Sequence, residues 1–340
     1  MPNPLTDLLA EKGTLLADGA TGTNLFNMGL MSGDAPELWN TDEPKKIEKL
    51  YRDSVEAGCD LFLTNSFGAN AARLKLHAAE KRAHELSRVA AEIGREIADR
   101  ANRKVIVAGS VGPTGEIMEP VGTLNHAIAV EIFHETADGL KAGGADVGWL
   151  ETISAPEEYR AAAEGFALAG LPWCGTMSFD TAGRTMMGLT SADMVKMIDD
   201  LGGYAPLGFG ANCGTGASDL LRTVLGFAAQ GPEKPIIAKG NAGVPKYVDG
   251  HIHYDGTPAL MADYAVMARA CGARIVGGCC GTEPEHLRMM REALDTRSMA
   301  HPPTLNEIVD RLGAFSSAVD GTEADQPQGR RNARRRRRAG

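Results

Sequence analysis

The sequence predicts a (β/α)8 barrel, the TIM-barrel class of α/β fold, on three observations. Eight short apolar runs each precede a segment with helical periodicity. The runs are continuously apolar rather than alternating, as strands covered on both faces should be. Polar and sulfur-bearing residues gather just after the runs, at the strand ends where such barrels keep their chemistry.

The strand-like runs are 14–18, 60–64, 104–110, 145–151, 173–179, 205–212, 235–239 and 273–278. The helical segments that follow are 44–57, 79–101, 125–142, 156–169, 191–201, 217–228, 257–271 and 284–294. Ser154-Ala155-Pro156-Glu157 and Thr282-Glu283-Pro284-Glu285 read as helix starts, with a capping residue, an early proline and acidic side chains near the positive end. Gly143-Gly144, Gly170 and Gly272 read as helix stops. The rival architecture is a doubly wound open sheet. Its dinucleotide fingerprint is missing: Gly19-Ala20-Thr21-Gly22 is not G-x-G-x-x-G, and Gly208-Phe209-Gly210 lacks the rest of the pattern. The barrel is expected to occupy residues 1–315 as one domain. Residues 316–340, rich in Asp, Gly, Thr, Gln, Pro and finally Arg, are expected to form a disordered basic tail.

The chain has 340 residues, 43% hydrophobic and 23% charged, enough to bury a large core. Its formal net charge is −9, unevenly spread. Seven of the 35 basic residues are Arg330, Arg331 and Arg334 to Arg338, so the remainder carries 28 basic against 44 acidic side chains. So acidic a body argues against a nucleic-acid-binding face. No signal peptide is read at the N-terminus, and no uncharged apolar run approaches the roughly 20 residues of a membrane helix. Six cysteines in a chain this long do not suggest a disulfide framework. A cytoplasmic protein is expected, its thiols free, buried or metal-bound.

The cysteines carry the strongest chemical signal. Cys279 and Cys280 are adjacent, follow the last strand and lie between glycines that let the backbone turn. Cys213 ends the sixth strand, only two strands away around a barrel. Three thiolates can then converge on one zinc ion, leaving a fourth position open as catalytic sites do. A substrate thiol bound there would be held as thiolate at neutral pH. Cys59, Cys174 and Cys271 lie inside strand- or helix-like segments and read as small buried hydrophobes. Two carboxylates, Asp18 and Glu151, stand at the ends of strands 1 and 4 and could receive an ammonium group. The backbone N–H groups of Gly19, Ala20, Thr21 and Gly22 could form an anion-binding nest. Asp18-Gly19 also suits an ordinary turn, and Glu151 a helix start. Two weaker features have bland readings, His251 and His253 as a polar loop and Glu131 and His134 as a helix surface, while Lys239 at the end of strand 7 suits a catalytic lysine and a structural ion pair equally.

These elements together resemble the homocysteine S-methyltransferase family. The residues that carry the likeness are Asp18-Gly19-Ala20-Thr21-Gly22-Thr23, Thr64-Asn65-Ser66-Phe67, Gly112-Pro113-Thr114-Gly115, Asn212-Cys213 and Gly277-Gly278-Cys279-Cys280-Gly281. The resemblance covers about residues 10–300. It implies one Zn2+ per chain held by Cys213, Cys279 and Cys280, with the homocysteine sulfur as working fourth ligand and methionine as product. It also implies Asn241 as the fourth ligand in the substrate-free state, and Glu151 as receptor for the homocysteine ammonium.

The methyl donor is less plainly written. An onium donor such as betaine asks for an aromatic cage. Where the animal betaine enzymes carry tyrosines, this chain has Thr152 and Gly68, and Trp39 alone could supply a wall. Glu151-Thr152-Ile153 and Gly183-Arg184-Thr185-Met186-Met187-Gly188-Leu189-Thr190 are more similar to the homocysteine module of cobalamin-dependent methionine synthase. The expectation is therefore one component of a split methionine synthase, taking methyl from methylcobalamin on a separate corrinoid protein, with a betaine or other onium donor as the alternative. A non-catalytic, zinc-stabilised barrel acting as a binding subunit is the alternative of another class. A zinc hydrolase would more typically use His and carboxylate ligands.

Overall fold

The computed structural model describes residues 3–243, 246–248 and 251–318, without the side chains of the 246–253 stretch. Eight parallel strands follow one another around a barrel: β1 (Leu15–Leu16), β2 (Leu61–Leu63), β3 (Ile106–Val111), β4 (Val147–Ile153), β5 (Trp173–Met177), β6 (Phe209–Cys213), β7 (Ile236–Gly240) and β8 (Ala273–Gly278). β1 pairs with β8, and a parallel bridge between Ala17 and Leu61 closes the circle. Every expected strand is present. β3 and β4 run one and two residues further than the apolar runs suggest, to Val111 and to Ile153.

The barrel interior is layered along the strands. Alternate residues point inward. Leu15 and Ala17, Leu61 and Leu63, Ile106 and Ala108, Val147 and Trp149, Cys174, Ile237 and Ile275 form one buried apolar cluster. Further along the same phase stand Ser110, Glu151, Thr176, Asn212 and Lys239. The barrel is thus apolar at its N-terminal end and polar at its C-terminal end. The intervening residues face outward, Phe62 and Val107 for example packing against Ile47, Leu50 and Ile97 of the surrounding helices. Each such buried side chain contributes roughly 1.5–3 kcal/mol.

The expected helices form within a few residues of their predicted ends. Thr190 makes a capping box with Asp193, and Gly170 takes the left-handed C-cap at φ 63°. Two start signals act through a different residue. The helix Pro156–Ala169 is capped at Ala155 without a side-chain bond, and Glu283 rather than Thr282 caps Pro284–Thr296. Several helices were not anticipated, among them Thr21–Asn27, Leu305–Leu312 and one at the N-terminus. Pro4–Lys12, capped by the Asn3 side chain, inserts Leu5, Leu8 and Leu9 into the apolar barrel interior and plugs its lower end. A short hairpin, Lys246–Val248 with His251–His253, lies in the loop after β7. The histidine side chains of that hairpin, like residues 319–340 of the expected tail, lie outside the described residues. Among the described residues no helix is long and apolar enough to cross a membrane.

Candidate active site

Strands β6 and β8 flank β7, and their ends bring three sulfurs together. Cys213 Sγ lies 2.9 Å from Cys279 Sγ and 3.6 Å from Cys280 Sγ, with all three within 4.8 Å of one another. The backbone holds this arrangement from both sides. Cys279 N–H donates to the Gly240 carbonyl at 2.7 Å, and Ala242 N–H to the Cys280 carbonyl at 2.9 Å. Gly277 is required where β8 passes β1: a Cβ there would lie 2.8 Å from the Ala17 methyl.

Cys213 follows the inward-facing Asn212, so regular alternation would turn it away from the barrel axis. Its backbone instead adopts φ 57°, a left-handed conformation costly for a residue with a Cβ, and the sulfur joins the cluster. Thr152, next to Glu151, is in the same region at φ 63°. Asn212 ties the two together. Its Oδ1 accepts from Thr152 N–H at 2.9 Å and from Thr176 Oγ1 at 2.7 Å, while its Nδ2 donates to Thr152 Oγ1 at 2.8 Å and approaches Cys279 Sγ at 3.8 Å.

The three thiols share their protons. Hydrogen bonds from Cys213 and Cys279, then from the Tyr254 hydroxyl, hold Cys280 down to about 3. The same sharing pushes Cys213 well up, since it donates to both partners. A thiolate trio of this kind suits a soft divalent metal. Zinc–sulfur bonds of about 2.3 Å in a tetrahedron set sulfurs roughly 3.8 Å apart. The Cys213–Cys280 spacing of 3.6 Å already fits, and Cys213 and Cys279 would have to move apart by about 0.9 Å. Asn241 adds a second sign of fit. Its Nδ2 donates to the Gly214 carbonyl at 2.9 Å, but its buried Oδ1 has no hydrogen-bond partner among the described residues. An acceptor left bare beside a sulfur cluster suits a cation.

The two strand-end carboxylates differ. Asp18 is buried and already engaged: Oδ1 accepts from Lys239 Nζ at 2.7 Å and Oδ2 from Leu63 N–H at 2.8 Å. Lys239 is therefore the ion-pair partner of Asp18, the blander of its two sequence readings. Glu151 accepts a 2.5 Å bond from Ser110 Oγ through Oε1, and among the described residues no hydrogen-bond partner takes Oε2. Burial pushes its carboxyl up to about 7 despite Lys239. In the turn after β1, Ala20 N–H donates to Thr282 Oγ1 at 3.1 Å. Thr21 and Gly22 begin the short helix Thr21–Asn27, whose first amides have no intrahelical acceptor.

Tyr254 and Ser110 were not anticipated. Tyr254 follows a polar loop with no periodic signal, and Ser110 closes an apolar run that reads as core. Cys59, Cys174 and Cys271 are buried free thiols, as expected. Glu131 is exposed on the helix His126–Ala142. Trp39, the sole wall expected for an onium cage, has its ring face covered by Lys46 Nζ at 4.1 Å. At Gly68 a Cβ would lie 2.8 Å from Glu37 Oε1, so a larger side chain there would have to displace that carboxylate.

The homocysteine S-methyltransferase family model matches residues 15–294, the whole barrel from β1 to the helix after β8. The chain belongs to that family. It is a methyltransferase by membership, and the expected fold and family both hold. Methionine synthase from Mycobacterium tuberculosis is 28% identical over 89% of this chain and 27% of its own length. Methionine synthase from Mycobacterium leprae is 29% identical over 85% of this chain and 25% of its own. The chain therefore spans about a quarter of the length of these relatives. Among solved structures, the homocysteine methyltransferase MmuM from Escherichia coli in its metallated form aligns with a TM-score of 0.67 at 23% identity, covering 85% of this chain and 99% of MmuM. Its oxidized form aligns at 0.68 and 24%, over 86% and 99%.

Proposed function

We propose that this chain methylates homocysteine to methionine at a zinc site, taking the methyl group from methylcobalamin carried by a separate corrinoid protein. Residues 1–315 are the homocysteine-binding unit, and the arginine-rich 316–340 segment is an appendage to it. Ser316 and Ser317 are joined to the barrel, through Asp219 and Arg222. Cys213, Cys279 and Cys280 hold the metal, with Asn241 Oδ1 as fourth ligand before substrate arrives. Bound zinc would supply the Lewis acidity that keeps a substrate thiol deprotonated at neutral pH. The single observation that carries this reading is the convergence of three sulfurs beside an unpartnered buried oxygen.

The chain's own residues place the substrate. Glu151 receives the homocysteine ammonium at Oε2 while Ser110 fixes the carboxylate through Oε1. The amides of Gly19, Thr21 and Gly22 receive the carboxylate of the amino acid, the Ala20 N–H being already bonded to Thr282. Asp18, with both oxygens occupied, supports that turn and is not the ammonium receptor. The homocysteine sulfur then attacks the methyl carbon in line: a carbon–sulfur bond forms, the bond from methyl to donor breaks, and its electron pair stays with the donor.

Two features favour a donor carried on a protein over a small onium ion. The cage positions offer no aromatic walls: Gly68 has no side chain and Trp39 has its ring face taken by Lys46. The loops that follow β1, β2, β3 and β5 also expose Met31, Leu76, Ile117, Val121 and Met186, all more than 60% accessible, around the mouth of the barrel. Such an apolar rim suits a macromolecular surface. We place the reaction in the cytoplasm, where thiols stay reduced.

The test is methionine formation by the purified, zinc-loaded chain with homocysteine, supplied in parallel with betaine and with methylcobalamin. Turnover with methylcobalamin alone is expected. Full turnover with betaine alone would replace the corrinoid reading by a self-contained onium methyltransferase. A cobalt-substituted form whose spectrum ignored homocysteine would instead indicate a structural metal and a binding subunit.

A further inference from the structure

We propose that Lys239 is a positioning residue that acts as a fixed counter-charge to the thiolate cluster, strengthening metal retention by the three cysteines. The inference rests on the zinc reading above. Three thiolates around one divalent cation leave a net negative charge, and a substrate thiolate doubles it. In a buried site that charge is costly unless a cation lies near. Lys239 is that cation. It is 1% exposed, in the polar layer of the barrel interior. Its register partners are Asn212 on β6 and Gly277 on β8, so it stands one residue before Cys213 on one side and two before Cys279 on the other. Both strands that carry the sulfurs therefore flank it directly.

Its protonation follows from its contacts. Asp18 accepts from Lys239 through Oδ1 and from Leu63 N–H through Oδ2, as an ionised carboxylate does. A Lys239–Asp18 pair serving packing alone would stiffen the barrel and leave metal affinity unchanged. A counter-charge makes zinc affinity depend on the ammonium itself.

The experiment compares zinc affinity of the full chain by competition with a chromophoric chelator, with and without the ammonium, in two backgrounds. Wild type is set against Lys239→Met, and Asp18→Asn against Asp18→Asn/Lys239→Met. The second pair guards against the first failing to fold, because removing the lysine alone strands a buried carboxylate. Circular dichroism and thermal melting establish that each compared variant is folded. Removal of the ammonium should weaken zinc binding by about tenfold or more, the equivalent of one pKa unit of interaction, in every background that folds. Equal zinc affinity with and without Lys239 in any folded background overturns the proposal. A wild-type chain that retains no zinc removes the proposed function itself, so the two failures are distinguishable.

Discussion

Replacing Glu151 by glutamine should separate charge from shape at the substrate head group. Glutamine keeps the length of the side chain and can still accept from Ser110 Oγ through its amide oxygen. It removes the negative charge that Oε2 offers to an ammonium. A hydrogen-bonded ion pair in a buried site typically costs about 2–5 kcal/mol when one partner is truncated. Because glutamine retains a polar acceptor and Glu151 is only half-buried, the lower part of that range applies, about 2–3 kcal/mol. That predicts homocysteine binding weaker by roughly 30- to 150-fold. Calorimetric titration of the zinc-loaded chain measures it. 4-Mercaptobutyrate, which is homocysteine without its amino group, is the control: it should bind wild type and Glu151→Gln alike. If the variant loses affinity equally for both ligands, or for neither, Glu151 does not read the ammonium.

The acidity of Glu151 gives the same experiment a pH signature. Burial raises the carboxyl from 4.5 to about 7. In both proteins the substrate's thiol loses its proton on binding the metal, so both bind more tightly as pH rises. Ammonium binding also needs the ionised carboxylate, so wild-type affinity should fall additionally below about pH 7, by roughly a further tenfold per unit, relative to Glu151→Gln. The raised pKa also has a stability consequence of opposite sign. A carboxyl that is more basic folded than unfolded stabilises the fold below 4.5, and that contribution is lost as pH rises through about 7. Glu151→Gln should therefore melt higher than wild type at pH 8 in the absence of substrate, by on the order of 2 kcal/mol, with the gain shrinking towards pH 5.

Cys280→Ala should abolish stoichiometric zinc, measured by elemental analysis of the folded protein, and leave far-ultraviolet circular dichroism unchanged; full zinc content would remove the three-sulfur site. Asn241→Ala should weaken zinc retention in the substrate-free protein and have less effect once homocysteine is present; an equal effect in both states would exclude it as an exchangeable ligand. Asn212→Ala strands the Thr152 amide and the Thr176 hydroxyl, so chemical denaturation should show a loss of roughly 2–4 kcal/mol; a change below about 0.5 kcal/mol would mean that the network is not coupled to folding.

Much of this was legible in the sequence because it is periodic or compositional. Continuous apolar runs such as 273–278 mark a strand buried on both faces, and β8 matches that run at both ends. Gly-rich punctuation around Cys279-Cys280 marks a turn at a strand end. Other features depend on which residues meet across the barrel, which periodicity does not encode. Nothing local in Lys239 or Asp18 announces a partner 221 residues away. Ser110 and Thr176 sit in runs that read as core, and become polar site residues only because their strands reach the upper interior. Tyr254 reaches Cys280 from the loop that follows β7. The helix Pro4–Lys12 carried local signals, an Asn cap followed by proline, yet its value lies in plugging a barrel formed by residues far away.

The two strained residues show why the cysteines need the rest of the barrel. A strand alone cannot aim consecutive side chains at one point, because Asn212 and Cys213 would face opposite ways. The left-handed turn at Cys213 overcomes that, at a cost of about 1–3 kcal/mol. Such a conformation persists only where the surroundings hold it. Here the adjoining Asn212 is held by Thr152 and Thr176, and the following Gly214 carbonyl by Asn241. Thr152 is itself left-handed and bonded to Asn212 through both its amide and its hydroxyl. Glu151 is therefore positioned by the same network that turns Cys213 into the cluster. The residue that would grip the amino acid and a residue that would hold its sulfur's metal share one set of hydrogen bonds, so a disturbance at Asn212 should affect both ends of the substrate at once.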